Sequence, residues 1–125
     1  MRLWMLFLFV ALFVFSCAQS PAHTTPAADP KTFDLVGENF RFKLNGVETP
    51  DLVVTQGDTV RITLTSTDMP HDWIVDEFNA KTARVNKGEP SVSVEFVASK
   101  KGTFEYYCSV GKHRANGMVG QLIVQ

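Results

Sequence analysis

Cys108, His113 and Met118 stand near the C-terminus as C-x4-H-x4-M, and His71 lies upstream, directly after Met69-Pro70. One thiolate, two imidazoles and a thioether form the donor set of a trigonal copper plane with a long axial methionine. Thiolate is the softest of these donors, imidazole suits both oxidation states of copper, and thioether favours Cu(I). One early histidine and three donors from one loop would hold a geometry between the preferences of Cu(II) and Cu(I). The metal could then change charge with little rearrangement. Four protein donors leave no open position for a substrate, so the chemistry expected is the exchange of single electrons. Zinc would accept the cysteine and both histidines, but a thioether is not among its usual ligands, and Met118 tips the choice to copper. Taken singly, each residue has a plainer use. Cys108 fits a small buried hydrophobe, the histidines fit ordinary loop positions, and Met118 fits core packing.

The elements that must position these residues occupy only part of the chain. Arg2 followed by the apolar run Leu3 to Phe15 is too short for a membrane span and fits a secretory signal over residues 1–16. Val14-Phe15-Ser16-Cys17 looks like a bacterial lipobox, with Cys17 the residue to be lipidated and Phe15 an atypical occupant. Cleavage after Ser20 is the competing site. Residues 17–31 are rich in proline, alanine and threonine and lack apolar bulk, as expected of a tether. Fully extended, the 13 residues from Ala18 to Pro30 would reach roughly 40 Å at about 3.1 Å per residue. His23 falls within it and is expected to be solvated.

The domain is then residues 32–125. The chain carries 12 basic and 13 acidic side chains, a near-neutral balance that gives no sign of a nucleic-acid partner. With Cys17 lipidated, Cys108 has no cysteine partner, and metal ligation accounts for a lone thiol in an exported protein.

Short alternating runs separated by turns fill the domain. Phe33 and Leu35 are followed by Phe40, Phe42 and Leu44, which end at the turn pair Asn45-Gly46. Leu52 to Val54 precede the turn Gln56-Gly57-Asp58, and Val60, Ile62 and Leu64 alternate with Arg61 and threonines. Trp73 with Val75, Val92 to Phe96, Phe104 to Cys108 and Val119 to Val124 complete the set. Asn79 to Glu89 has no clean period and reads as an irregular crossover with a helical turn. The spacing predicts an all-β, antiparallel Greek-key sandwich of seven or eight strands.

From Val53 to Val124 the chain resembles the cupredoxins, the small blue-copper proteins that include plastocyanin, azurin, auracyanin and rusticyanin. The residues that carry the resemblance are Gln56 to Val60, Met69-Pro70-His71, Gly102 to Cys108, His113 and Met118. It implies one type 1 copper ion cycling between Cu(I) and Cu(II), held by His71, Cys108, His113 and Met118. It further implies an electron carrier rather than an enzyme, a monomer serving redox proteins as donor and acceptor, with no small-molecule substrate. The lipid anchor would place it at a bacterial membrane, in the periplasm or on the outer face of the cell membrane.

In the family, the C-terminal histidine reaches the surface within an apolar patch. Here that patch would be Met69, Pro70, Val110, Ala115 and Gly117, with Lys112 and Arg114 as a positive rim. Two departures stand out. Asp72 follows the first ligand where many relatives have asparagine, and a carboxylate aimed at the metal would favour Cu(II). Phe104 replaces a tyrosine whose hydroxyl ties the sandwich corner, so the corner is expected to hold by packing.

Copper nitrite reductases and multicopper oxidases share the fold but need further histidines, and this chain has three in all. A binuclear copper domain needs a second cysteine in the loop, and residues 109–117 contain none. A copper chaperone or store using the same four ligands is the alternative in another functional class.

Overall fold

The computed structural model describes residues 28–125. The signal segment 1–16, the lipidation site Cys17, and His23 with most of the tether lie outside the described residues.

Ten strands form two five-stranded sheets. In chain order they are β1 (Lys31–Glu38), β2 (Arg41–Leu44), β3 (Val47–Glu48), β4 (Leu52–Val54), β5 (Thr59–Ser66), β6 (Ile74–Val75), β7 (Ala80–Lys81), β8 (Val92–Val97), β9 (Gly102–Tyr107) and β10 (Val119–Val124). One sheet runs β3-β2-β1-β5-β8 and the other β4-β10-β9-β6-β7. The count exceeds the expected seven or eight because three pieces, β3, β6 and β7, are two-residue strands. Nor is the sandwich wholly antiparallel. β1 pairs parallel with β5, and β10 pairs parallel with β4. Parallel neighbours need long connections, which side-chain alternation within a strand cannot reveal.

The alternation read from the sequence does set the faces. Val60, Ile62 and Leu64 are buried on β5 while Arg61 points to solvent. Leu35, Phe42, Leu52, Val54, Leu122 and Val124 close the core from the neighbouring strands. Trp73 is fully buried, stacked against Phe96 at 5.9 Å and tilted against Tyr106 at 5.6 Å between ring centroids.

The turns follow their residues. Asn45 and Gly46 both take positive φ (51° and 81°) between β2 and β3, as a tight two-residue hairpin turn requires. Asn39 and Phe40 do the same between β1 and β2, at 51° and 57°. Phenylalanine is disfavoured there, so the surrounding contacts must hold this turn. The helical turn expected within Asn79 to Glu89 comes slightly earlier, as a 3-10 turn at Asp76–Phe78 that ends on Asn79.

The expectation of a corner without a hydroxyl tie also needs correction. Phe104 does pack, edge-on against Phe78 with centroids 5.1 Å apart. Two residues on, however, the buried Tyr106 hydroxyl donates to the carbonyl of Pro50, the residue two before β4. The Tyr106 ring reaches Pro50 by lying across Gly120, its partner on β10. A β-carbon at position 120 would stand 2.2 Å from the ring, so only glycine leaves the path open.

Candidate metal centre

All the segments that carry the expected ligands meet at one end of the sandwich. His71 lies in the crossover from β5 to β6, Cys108 follows β9, and His113 and Met118 lie in the loop to β10. His71 is fixed by a two-bond bridge to Val85, with His71 N–H donating to Val85 O at 3.0 Å and Val85 N–H returning at 2.9 Å. The segment that showed no period in the sequence thus holds the first histidine in place. The loop closes on itself. Cys108 N–H donates to Met118 O (3.1 Å), and Met118 N–H donates to His113 O (3.0 Å).

The side chains converge. One donor atom from each of His71, Cys108 and His113 lies within 4.8 Å of the others, and all three residues are buried. His71 Nδ1 is 4.0 Å and His113 Nδ1 3.5 Å from Cys108 Sγ. Met118 is fully buried and is tied by its backbone to both Cys108 and His113. A soft thiolate with two imidazole nitrogens in a buried cluster fits copper.

Burial pushes the Cys108 thiol upward, against the backbone N–H groups of Asp72 and Val110 directed at the sulfur. Burial, with the neighbouring His71 next, holds His113 below the ordinary histidine value. Both shifts favour the neutral donors in the absence of metal, so metal binding must displace the thiol proton.

The two histidines are anchored differently. The Nε2 of His71 lies 2.8 Å from Asp68 Oδ1. A carboxylate only accepts, so Nε2 carries the proton and Nδ1 keeps its lone pair toward the sulfur. Gly37 closes in on the His71 ring so tightly that a β-carbon there would meet Cδ2 at 2.6 Å. His113 instead has the Phe40 ring edge-on at 5.0 Å and retains 8% exposure. Arg41 braces its loop by donating through Nη1 to the carbonyls of Phe40 (2.8 Å) and Asn116 (2.9 Å).

Asp68, Gly37 and Arg41 are not singled out in the sequence, and Phe40 reads there as a strand residue rather than part of the site. Only Asp68 left a signal there, as a carboxylate three residues before His71. It accepts from Asn39 N–H and Met69 N–H as well as from His71. Burial alone would raise its pKa, but these bonds together outweigh that and hold the carboxyl below the ordinary value.

Asp72 lies near enough to Cys108 for its carboxylate to act on the thiol, and it has a second use. Its carboxylate accepts from Ser109 N–H and Ser109 Oγ–H, both at 2.6 Å. It therefore joins the segment after His71 to the segment after Cys108. The positive rim is also uneven. Arg114 pairs with Glu105 and lies 3.8 Å over the Tyr107 ring, whereas Lys112 is exposed and has no ion-pair partner among the described residues. Met69, Pro70 and Val110 are partly exposed and Ala115 is exposed.

The comparisons with known proteins agree with this geometry. No curated protein matches the chain. Auracyanin A from the green thermophilic photosynthetic bacterium Chloroflexus aurantiacus is 23% identical, with a TM-score of 0.63 over 78% of this chain and 100% of its own. Reduced auracyanin from Roseiflexus castenholzii is 23% identical, with a TM-score of 0.63 over 77% of this chain and 98% of its own. Rusticyanin from Thiobacillus ferrooxidans is 24% identical, with a TM-score of 0.60 over 78% and 79%. At these identities the likeness concerns the fold. A family model described as copper binding proteins of the plastocyanin/azurin family matches residues 46–125. That match covers most of the chain and includes Cys108, both histidines and Met118, and the protein accordingly belongs to the plastocyanin/azurin family of copper-binding proteins, the cupredoxins.

Proposed function

We propose that this protein is a one-electron carrier that holds a single type 1 copper through His71, Cys108, His113 and Met118. The observation that carries this reading is the buried convergence of two imidazole Nδ1 atoms on the Cys108 sulfur. Copper bound there supplies a Cu(II)/Cu(I) couple. The chain's own residues do the rest. The Val85 bridge and Asp68 fix one imidazole, the Asp72–Ser109 bonds hold the two ligand segments together, and burial keeps water from the sulfur. Rigid placement of the donors keeps rearrangement small when charge changes.

Electrons would leave by His113, which keeps 8% exposure, with the partly exposed Met69, Pro70 and Val110 and the exposed Ala115 as the apolar residues of the expected docking patch. A donor and an acceptor protein would dock there in turn. Transient redox complexes have small interfaces. Export and anchoring through Cys17 are supported by the hydrophobic run and lipobox of the N-terminal sequence. They would keep the carrier close to membrane-bound partners.

The test is a visible and electron-spin spectrum of the copper-loaded protein, with cyclic voltammetry. An intense thiolate-to-copper band and a reversible couple are expected, and Cys108→Ser should abolish the band while the domain still folds. Rapid loss of copper to a second protein without a reversible couple would favour a chaperone. Metabolic labelling with fatty acid should mark the wild type and not Cys17→Ala. Unlabelled wild type beginning near Pro21 would exclude the anchor.

A further inference from the structure

The two histidines of the centre differ in what lies behind them, and the difference comes from a single side chain. Asp68 Oδ1 accepts from His71 Nε2–H at 2.8 Å and from Met69 N–H at 2.7 Å, while Oδ2 accepts from Asn39 N–H at 2.7 Å. Asn39 begins the strained β1–β2 turn, and the next residue, Phe40, sets its ring edge against His113. The imidazole that Asp68 holds is wholly buried and is pressed on one side by Gly37. No comparable carboxylate backs His113 among the described residues.

We propose that Asp68 is a positioning and tuning residue of the copper centre, acting through His71 to stabilise the oxidised state and through Asn39 to seat Phe40 on His113. The proposal rests on the copper-carrier reading. Its physical basis is short. A negatively charged acceptor on the distal N–H makes the imidazole a stronger donor, as outer partners of metal-bound histidines do. A stronger donor with an added negative charge near the metal stabilises Cu(II) more than Cu(I), since Cu(II) carries the larger positive charge. In a buried site that interaction is poorly screened. The Coulombic effect and the fixed tautomer come from the same contact. The tie to Asn39 then offsets the cost of a phenylalanine at positive φ.

The experiment compares the copper-loaded full chain with Asp68→Asn and with Glu38→Gln. Asparagine is nearly isosteric but uncharged. Glu38 is a nearby carboxylate that pairs with Lys43 and Thr67 and does not touch the imidazole, so its variant reports the effect of charge alone. Asp68→Asn should lower the Cu(II)-to-Cu(I) affinity ratio by about 10–100-fold. Each tenfold appears as a rise of about 59 mV in the one-electron potential. Glu38→Gln should move it far less. Nitrogen-15 NMR of the metal-free full chain at pH 8 should show the His71 proton on Nε2 in the wild type.

A potential in Asp68→Asn that moves no more than in Glu38→Gln would overturn the proposal, as would a wild-type His71 protonated on Nδ1. The NMR measurement needs neither copper nor a variant, so it decides even where Asp68→Asn folds poorly. The carrier reading fails separately, on a wild type without the thiolate band or a reversible couple.

Discussion

Gly37 and His71 share a space that admits no further atom. A β-carbon on residue 37 would lie 2.6 Å from His71 Cδ2 and 2.8 Å from Cγ. β1 thus contributes to the metal centre by what it lacks. Gly37→Ala must therefore push the imidazole or β1 aside. Overpacking of this kind costs about 1–3 kcal/mol, and the displaced ring should weaken copper binding as well. Thermal melts with and without copper should show a larger loss for the loaded protein than for the metal-free one. Equal losses would mean that the backbone, rather than His71, absorbs the clash.

Met118 is expected to set the potential from the axial side. Met118→Gln supplies a harder oxygen that favours Cu(II) and should lower the potential, whereas Met118→Leu removes the donor and should raise it. Voltammetry of the two variants separates the cases. Shifts of the same sign would place the Met118 sulfur away from the metal.

Proton release should accompany metal uptake. Burial raises the Cys108 pKa, so at neutral pH the metal-free residue is a thiol and binding liberates its proton. Affinity should then rise about tenfold per pH unit through the neutral range from this group alone. His113 is held low, so its contribution steepens the slope only below the ordinary histidine range. Calorimetry with cobalt(II), in buffers of different ionisation enthalpy, reads the proton count. No release at pH 7.5 would show that Cys108 is already ionised or does not ligate.

Tyr106→Phe removes the hydroxyl and leaves the buried Pro50 carbonyl without its bond. The expected loss is about 1–3 kcal/mol, measured by denaturant unfolding of the metal-free protein, with little effect on the copper spectrum. Gly120→Ala should cost at least as much, since its β-carbon meets the same ring at 2.2 Å. A spectrum that changes with either variant would show that the far side of β9 and β10 controls the ligands.

Steering of an acidic partner should depend more on Lys112 than on Arg114, because Arg114 is already paired with Glu105 and stacked on Tyr107. Lys112→Glu should slow electron transfer to the partner and flatten its salt dependence, and Arg114→Glu should do so less. Stopped-flow reduction at several ionic strengths makes the comparison. A wild-type rate that rises with salt would exclude an acidic partner surface.

The parts legible in the sequence are those fixed by local pattern. Alternation placed Val60, Ile62 and Leu64 inside, and Asn45-Gly46 marked its turn. Donor chemistry picked out Cys108 and both histidines, which the structure gathers. Relations between distant segments were not legible. Nothing near Asp68 announces that Asn39 will come to its carboxylate, nor that Gly37 will face His71. Asp72 was legible only in part. Its charge and its place beside a ligand suggested a role toward the metal, and it does act on the Cys108 thiol, but nothing in the sequence announces that Ser109 will give it two donors.

The parallel pairing of β10 with β4 governs the order in which this molecule can be assembled. Leu52 finds its neighbour in Leu122, and Val54 in Val124, each 70 residues further along the chain. Such distant partners make loop closure a slow step in folding. β4 therefore waits unpaired on that edge until β10 has been made. The ligand loop is pinned between β9 and β10 and takes its shape no earlier. A chain cut short before Val119 would expose the β4 edge and have no finished site to offer a metal. Metal acquisition in this protein is thus a late event, open only once the last strand is in place.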